Sequence, residues 1–368
     1  MKTNNFNKES TPETQPKASV LDEEENRAEH GIAHSTPETL PEETDNDDDE
    51  ISAEYERSES TSDKRREAAM HGKEEDNAAY GLVHKHSVRK KVIRRIAVIL
   101  CAVLVICAGF IIYINYEANA LEVTFYHLQS DNVDAPFRVV QLSDLHLHEF
   151  GEHNKDLVEW VRRLNPDIIT ITGDMNNHNN DDTHVVTELC TQLTQIAKVY
   201  YVMGNHEWAD HINRHTSIKA DIAATGVTIL ENSYEEIVLN ENKIVIGGLV
   251  NEVSNYSQYN GPEFMKDFMD ADGFKLLLVH YPEYFLGTLN DYSIDLSMCG
   301  HTHGGIIRIP FVGGLYASDQ GFFPELCEGM KKVDGGSIVV VSRGLGGDTS
   351  IPRINNRPEI VVVDVSWY

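Results

Sequence analysis

The stretch that decides the fold is Tyr200–Glu207, which reads YYVMGNHE. Its first half is apolar, and its second half is a polar cluster that begins with glycine. A short apolar run of this kind indicates a buried strand, and in open α/β sheets the loops at the carboxyl ends of strands hold ligands. The stretch therefore predicts a strand that carries Asn205, His206 and Glu207 to one edge of a sheet.

Four other apolar runs end in the same way. They are residues 138–143, followed by Asp144-Leu145-His146; residues 168–172, followed by Gly173-Asp174; residues 275–279, followed by His280; and residues 294–299, followed by Gly300-His301-Thr302-His303. Because the carboxyl ends of parallel strands meet at one edge of a sheet, we expect these side chains to lie together. Five strands that each deliver Asp, Asn or His to that edge predict a metal site.

The first part of the chain has a different composition. Residues 1–83 carry 9 basic and 23 acidic residues and show no sustained apolar period. Such a segment buries too little apolar surface to offset its chain entropy, which predicts a disordered acidic tail. The five residues STPET occur twice, at 10–14 and 35–39, and such a short repeat is typical of a low-complexity segment. A solvated tether is the favoured interpretation, with a docking or phosphorylation tail as the alternative.

A basic segment and then an apolar segment follow the tail. Residues 84–95 contain six Lys and Arg residues and no acid, and residues 96–114 contain no charge. A helix over those 19 residues would be about 28 Å long, close to the hydrocarbon thickness of a bilayer. We therefore predict a basic juxtamembrane segment at 84–95 and a transmembrane helix at 96–116. The positive-inside rule then places the N-terminus in the cytoplasm and the rest of the chain outside it, in the cell membrane as a single-pass protein.

A cleaved leader is the alternative to an uncleaved anchor. The sequence Ala118-Asn119-Ala120 resembles a signal-peptidase site, so release near Ala120 remains open. A charged lead of 95 residues is long for a signal peptide, which favours the anchor.

The remainder of the chain alternates strand and helix patterns. Residues 117–136 predict a linker and first strand region, and residues 137–368 predict a single α/β domain. Helices are expected at 154–164, 183–197 and 212–224, and later strands at 243–250, 306–310, 337–342 and 359–365. Residues 117–368 carry a net charge of −20 out of −28 for the whole chain, so no nucleic-acid partner is expected.

The candidate metal ligands offer only nitrogen and oxygen atoms. They are Asp144, His146, Asp174, Asn205, His280, His301 and His303, with His206 beside them. A set without thiolate suits Mn, Fe or Zn rather than Ca or a structural zinc. Seven ligands exceed the needs of one tetrahedral ion and predict two divalent ions, with Mn²⁺ favoured.

These motifs, in this order, resemble those of the calcineurin-like metallophosphoesterases. Three further stretches, Gly300–Gly305, Ser342–Gly346 and Arg357–Ile360, resemble its membrane-associated bacterial branch, the YkuE/YaeI-type phosphohydrolases. The resemblance covers essentially all of residues 137–368. Asn177 and Ile306 depart from residues common in the family, which leaves the substrate open.

The resemblance implies a four-layer αββα sandwich with the metals at the carboxyl ends of the strands. One metal would be held by Asp144, His146 and His303, the other by Asn205, His280 and His301, and Asp174 would bridge them. His206 would be the catalytic residue that protonates or stabilises the leaving oxygen. Two such ions, about 3.5–4 Å apart, clamp a phosphate and activate a bridging water.

Two functional hypotheses follow. The first is a membrane-anchored metallophosphoesterase that hydrolyses a phosphomonoester, phosphodiester or pyrophosphate, with the bilayer and a small phosphorylated, lipid-linked or nucleotide-sugar substrate as its partners. The alternative is a non-catalytic surface receptor that binds metal or phosphate. Residues 312–334, which carry several Gly and aromatic residues, are interpreted equally well as a membrane-facing loop or as an irregular connection packed on the sheet.

Overall fold

The computed structural model describes residues 52–250, 261–347 and 351–368, and the bounds below refer to these ranges. The chain divides into two units, residues 1–90 and 91–368, and the second holds both sheets. The α-helices are α1 (Ser52–Asn119), α2 (Lys155–Leu164), α3 (His184–Leu193), α4 (Asn205–Arg214), α5 (Ile218–Ala224) and α6 (Gly261–Asp270).

Helix α1 differs from the predicted disordered tail. Residues 1–51 lie outside the described residues, but residues 52–83 are helical, so the prediction of disorder is wrong for them. This segment lacks proline and is rich in Ala, Glu, Lys and Arg, which are strong helix formers. Residues 52–83 have no apolar face, but their helix propensity and their continuity with the apolar helix that follows favour the helical conformation.

The predicted transmembrane segment at 96–116 lies within α1. Among the residues that the structure describes, this is the helix long and apolar enough to cross a membrane, with a mean hydropathy of 3.0 over 18 residues. No part of that stretch is buried against the rest of the chain. Length, composition and exposure are therefore compatible with a bilayer span.

The first sheet has six strands. In spatial order they are β1 (Glu122–Gln129), β16 (Glu359–Ser366), β2 (Phe137–Leu142), β3 (Ile168–Ile171), β4 (Lys198–Tyr201) and β5 (Thr228–Ile229). Strands β2 to β5 are mutually parallel, whereas β16 is antiparallel to β2. The carboxyl ends of β2, β3 and β4 therefore share one edge.

The second sheet also has six strands. In spatial order they are β14 (Gly329–Lys332), β15 (Ile338–Val341), β9 (Leu296–Cys299), β8 (Phe274–Leu278), β7 (Asn242–Gly248) and β6 (Ser233–Leu239). The central strands β15, β9, β8 and β7 are parallel, and β14 and β6 close the edges antiparallel to them. Strands β6 and β14 were not predicted, because their sequences, SYEEIVL and GMKK, are too polar to read as buried strands.

Three apolar cores separate four layers. Alternate residues of each strand point to opposite faces, so Val139 lies between the two sheets while Val140 lies under the helices. The second sheet shows the same alternation, with Leu276 facing the first sheet and Leu277 facing α6. Helices α2 to α5 cover the first sheet, and α6 covers the second. The predicted αββα sandwich is thus confirmed.

Two connections differ from their predictions. The helix expected at 212–224 is two helices, α4 and α5, interrupted at His215, whose φ of 54° lies in the left-handed region. The strand expected at 306–310 is only β10 (Arg308–Ile309), which pairs with β11 (Gly313–Gly314); a second hairpin joins β12 (Tyr316–Ala317) to β13 (Gly321–Phe322). We call the hairpins β10–β11 and β12–β13 (residues 308–314 and 316–322) the paired hairpins.

The end of α1 is tied to the domain by polar contacts. Glu117 forms an ion pair with Arg357 at 2.9 Å, and the Arg357 guanidinium lies over the ring of Tyr116. The hydroxyl of Tyr113 accepts the backbone N–H of Asn355 at 3.3 Å. The Asn355 amide in turn donates to the carbonyl oxygen of Arg308 at the base of the first hairpin, which links the end of α1 to the paired hairpins.

Candidate metal centre

The predicted ligands all follow the carboxyl ends of β2, β3, β4, β8 and β9, with Asn205 at the first residue of α4 and His303 in a 3-10 turn. Two parallel strand sets, one in each sheet, deliver these loops to the same end of the sandwich. The structure brings all seven predicted ligands and His206 into one cluster, whose geometry follows.

The first group comprises Asp144, His146 and His303, whose ligand atoms lie within 4.8 Å of one another. Nε2 of His146 and Nε2 of His303 are 3.3 Å apart, and Nε2 of His303 is 3.8 Å from a carboxylate oxygen of Asp144. Asp144 and His146 are buried. Two ring nitrogens and a carboxylate that converge in this way form a three-ligand set for a cation.

The second group comprises Asn205, His280 and His301. The side-chain oxygen of Asn205 lies 3.0 Å from Nε2 of His280 and 3.1 Å from Nδ1 of His301. The two ring nitrogens are 3.3 Å apart. The amide oxygen supplies a neutral ligand, which leaves a bound ion with more net positive charge than a carboxylate would.

Asp174 lies between the two groups. Its Oδ2 is 3.3 Å from Nε2 of His280 in one group and 4.0 Å from Nε2 of His146 in the other. Its second oxygen accepts the backbone N–H of His206 at 2.9 Å. The buried Asp174 carboxylate therefore reaches both groups, as a bridging ligand must.

The loops hold their ligands in an uncommon backbone conformation. Five of the seven have a positive φ between 49° and 70°: Asp144, His146, Asp174, His301 and His303. Left-handed backbone costs a non-glycine residue about 1–3 kcal/mol and clusters at functional sites. The rest of the fold therefore stabilises a ligand arrangement that the individual residues disfavour.

Glycines allow the loops to approach one another. A Cβ atom on Gly204 would lie 2.1 Å from a carboxylate oxygen of Asp174, and one on Gly300 would lie 2.6 Å from a carboxylate oxygen of Asp144. Both distances are well below van der Waals contact. The glycines that precede Asn205 and His301 are thus required by the close contact between neighbouring strand ends.

Three ligand histidines are oriented through their second ring nitrogen. Nδ1 of His280 contacts the carbonyl oxygen of Thr172 at 2.6 Å, and Nδ1 of His146 contacts the side-chain oxygen of Asn177 at 3.1 Å. Nε2 of His301 lies 2.6 Å from a carboxylate oxygen of Asp319. Outer partners of this kind fix the tautomer and orientation of metal-binding histidines.

Asp319 and Arg353 belong to the site but were missed by sequence reasoning. Asp319 lies in the turn of the second hairpin, 18 residues after His301. Arg353 is buried, with one guanidinium nitrogen 3.4 Å from Nδ1 of His303. Neither is part of a strand-end motif, so nothing in the local sequence distinguished them.

The pKa values of the central groups reflect this packing. Burial alone would raise the pKa of Asp174, but the neighbouring His280, with His146 and His206, lowers it well below its usual range. Burial lowers the pKa of His280, but the facing carboxylate of Asp174 outweighs it and raises that pKa to about 10. A metal ion that binds His280 at neutral pH must therefore displace a proton.

His206 also lies within this cluster, since one of its ring nitrogens is within 4.8 Å of ligand atoms of His146 and Asp174. Its Nε2 is 3.8 Å from Oδ2 of Asp174, whereas its Nδ1 accepts the backbone N–H of His178 at 2.7 Å. Asn205 and His206 both lie in the first turn of α4. The His178 contact directs the Nδ1 atom away from the ligand cluster.

The donor set fits two divalent ions. Imidazole nitrogens lie 3.3 Å apart in both groups, close enough to bind one cation together. The centre offers imidazole, carboxylate and amide donors with no thiolate, which suits Mn, Fe or Zn.

An αββα sandwich with such a centre defines a metallophosphoesterase. The chain matches the calcineurin-like phosphoesterase family over residues 137–305. It is 32% identical over 263 residues to the uncharacterised metallophosphoesterase YkuE of Bacillus subtilis, covering 68% of this chain and 87% of that protein. This chain therefore belongs to the calcineurin-like phosphoesterase family.

Two further relatives cover the same part of the chain. An uncharacterised metallophosphoesterase of Aquifex aeolicus is 26% identical over 263 residues, covering 69% of this chain and 95% of that protein. The phosphodiesterase YaeI of Escherichia coli is 25% identical over 236 residues, covering 63% of this chain and 83% of that protein. The resemblance to YkuE- and YaeI-type proteins is confirmed.

Proposed function

We propose that this chain is a membrane-anchored, dinuclear metal-dependent phosphoesterase that acts outside the cytoplasm on a lipid-linked phosphate. The observation that carries the proposal is the position of Asp174, whose carboxylate lies between two complete sets of nitrogen and oxygen ligands. A bridged pair of sites of this kind suits phosphate ester hydrolysis. Membership in the phosphoesterase family supports the same reaction class.

The ligand residues would divide between two ions, for which Mn²⁺ is proposed. Asp144, His146 and His303 would hold one ion, Asn205, His280 and His301 the other, and Asp174 both. When bound, such a pair supplies Lewis acidity and a nucleophilic water at neutral pH. Outer contacts from Asp319, Asn177 and the Thr172 carbonyl would keep the histidine rings aligned.

His206 would donate to the leaving oxygen. Because its Nδ1 accepts the His178 N–H, the proton of the neutral ring must be on Nε2. That nitrogen faces the Asp174 carboxylate and the space between the ligand groups. The His206 ring is thereby oriented to present a proton to a bound phosphate ester.

The position of the cavity beside the centre supports a substrate drawn from the bilayer. A cavity of about 160 Å³ reaches from the ligand His303 to Ala118 at the end of α1. Several of its walls are apolar, among them Ile306, Leu345 and Ile351. If the phosphate group of a lipid-linked substrate bound at the metal centre, the apolar portion of that substrate would extend along this cavity toward Ala118. That residue lies where the chain leaves the predicted membrane span.

The paired hairpins support the same orientation. They expose large apolar side chains: Phe311 fully, in the turn of the first hairpin, and on the second Phe322 at 71% on β13 and Phe323 at 60% directly after it. Since the Tyr113–Asn355–Arg308 contacts link these hairpins to the end of α1, their tips would lie beside the bilayer surface. Apolar side chains in that position contribute to membrane association by leaving water.

The remaining features bear on topology and substrate. The six basic residues before the apolar helix favour a cytoplasmic N-terminus. The net charge of −20 after the helix disfavours nucleic acid, whereas a small phosphorylated lipid needs only the metal centre. The name of the relative YaeI, a phosphodiesterase, favours a phosphodiester or pyrophosphate over a monoester.

The proposal is tested with the full chain in detergent micelles. We expect Mn²⁺-dependent hydrolysis of bis-p-nitrophenyl phosphate, and faster hydrolysis of a phosphodiester lipid in mixed micelles than of its water-soluble head group. Asp174→Ala serves as the inactive control. Metal binding without turnover of any of these esters would instead favour a receptor that binds metal or phosphate.

A further inference from the structure

A second group of metal-binding side chains lies outside the centre described above. Nδ1 of His153, Nε2 of His184 and a carboxylate oxygen of Glu188 all lie within 4.8 Å of one another. His153 belongs to the turn before α2, whereas His184 and Glu188 lie one turn apart on α3. The metallophosphoesterase reaction uses none of these three residues.

Two of the distances in this group are close to those between ligand atoms of one zinc ion. Zinc binds imidazole nitrogen and carboxylate oxygen at about 2.0–2.2 Å with tetrahedral geometry, which separates neighbouring ligand atoms by about 3.3 Å. The Glu188 oxygen is 2.9 Å from Nδ1 of His153 and 3.5 Å from Nε2 of His184. Movements of the side-chain atoms by a few tenths of an ångström would make these two distances equal.

The position of His153 is fixed by its neighbours. The Glu149 carboxylate accepts its backbone N–H at 3.1 Å, and the side-chain amide of Gln192 donates to its carbonyl oxygen at 3.0 Å. Its Nε2 lies 3.9 Å from a carboxylate oxygen of Glu152. A carboxylate behind a ligating imidazole is a common outer contact that orients the ring toward a metal.

The three side chains are partly exposed, which leaves a fourth position open to water. The exposed fractions are 57% for His153, 70% for His184 and 32% for Glu188. Carboxylates at 149, 152 and 188 also give this surface a negative charge that attracts a dication. A site of three protein ligands and one water suits Zn²⁺ and the neighbouring late transition metals.

We propose that His153, His184 and Glu188 form a third metal site, separate from the dinuclear centre, that binds Zn²⁺ and clips the turn before α2 to helix α3. The site does not depend on the proposed activity. Its effect is local, because the ion would cross-link two segments that exposed hydrogen bonds already join, from His153 to Glu188 and from Gln192 to the His153 carbonyl oxygen.

The test counts zinc ions on the full chain in detergent after equilibrium dialysis, by elemental analysis. We expect His184→Ala and His153→Ala each to bind one equivalent fewer than the unaltered protein. His127→Ala is the matched control, since His127 is an exposed histidine with one carboxylate 3.7 Å away and no third ligand nearby among the described residues. It should bind the same number of ions as the unaltered protein.

The test measures the difference in bound zinc between the unaltered protein and each variant. The result therefore does not depend on whether the dinuclear centre binds two ions or fewer. Thermal melts with and without zinc give a second measurement, in which zinc should raise the Tm of the unaltered protein more than that of either variant. Equal zinc counts in the unaltered protein and in both variants would overturn the proposal. A loss in His127→Ala as large as in His184→Ala would overturn it as well.

Discussion

The carboxylate of Glu207 accepts the backbone N–H of Asp174 at 2.9 Å. The same carboxylate accepts the N–H groups of Met175, Asn176 and Gly204 and the hydroxyl of Tyr201. Glu207 lies on α4 and is fully buried, so a single side chain fastens the loop after β3 to the start of the helix that carries Asn205. The position of the bridging carboxylate therefore depends on a residue that is not itself a ligand.

Replacing Glu207 should therefore weaken both stability and metal binding. Glu207→Ala leaves several buried donors without an acceptor, each at a cost of about 1–3 kcal/mol, so we expect the free energy of unfolding to fall by at least about 3 kcal/mol. Glu207→Gln keeps one acceptor oxygen and should lose less. Thermal melts and metal titrations measure both effects.

Glu159→Gln is the matched control for that experiment. Glu159 is an exposed carboxylate on α2 whose partners are Arg162 and Arg163. Exposed ion pairs contribute about 0–1 kcal/mol, so this variant should differ little from the unaltered protein. A Glu207→Ala protein as stable as Glu159→Gln would contradict the role given to the buried carboxylate.

Asp174→Ala should lose both ions of the dinuclear centre, because its carboxylate reaches both ligand groups. His303→Ala should lose mainly one ion, because its Nε2 faces only Asp144 and His146. Elemental analysis of Mn²⁺-loaded proteins distinguishes the two. If Asp174→Ala retains a full equivalent at each group, Asp174 is not a bridging ligand.

His206→Ala should keep both ions and lose catalytic rate. A general acid contributes about 10²–10⁴-fold, so the rate on an unactivated phosphate ester should fall within that range. The loss should be smaller for p-nitrophenyl esters, whose leaving oxygen barely requires a proton. Loss of a metal ion from His206→Ala would make the residue a ligand and would refute its role as donor.

The paired hairpins should matter for lipid substrates only. Each exposed Phe that enters a membrane gains about 1.5–3 kcal/mol, or roughly tenfold or more in association. We expect Phe311→Ser combined with Phe322→Ser to slow hydrolysis of a lipid phosphodiester in vesicles and to leave bis-p-nitrophenyl phosphate unaffected. Val238→Ser, at a 77% exposed position on β6, is the control and should change neither rate.

Membrane topology is tested by protease added to intact cells or protoplasts. With a cytoplasmic N-terminus, residues beyond 117 should be digested and residues 1–95 protected. Digestion of the N-terminal segment with protection of the domain would reverse the topology. A soluble product that begins near Leu121 would indicate cleavage after Ala120.

Local sequence patterns predicted much of this protein. Apolar runs of four to six residues, each followed by Asp, Asn or His, located the five strands that carry the metal centre to within about two residues at either end. Such patterns are reliable because burial on both faces of a strand requires uninterrupted apolar residues. The same property explains the missed β6, whose alternating exposed residues include Glu236 and Val238.

Other errors came from interactions that extend beyond one segment. The expected helix at 212–224 breaks at His215, where the left-handed backbone ends α4 and begins a new turn. The expected disorder at 52–83 ignored helix propensity, which does not need an apolar face once a neighbouring helix supplies the nucleus. The sequence pattern places Asn205 and His206 after a strand and does not predict the start of α4, which begins at Asn205 itself.

The sequence by itself determined which residues form the centre, because ligand type and strand-end position are written in short motifs such as GNHE and GHTH. Only the tertiary structure decided how those residues meet. His146 meets His303 across 157 residues of chain, and Asn205 meets His280 across 75. Such contacts arise when two sheets pack face to face and bring their carboxyl edges together, and no local pattern of residues specifies that packing.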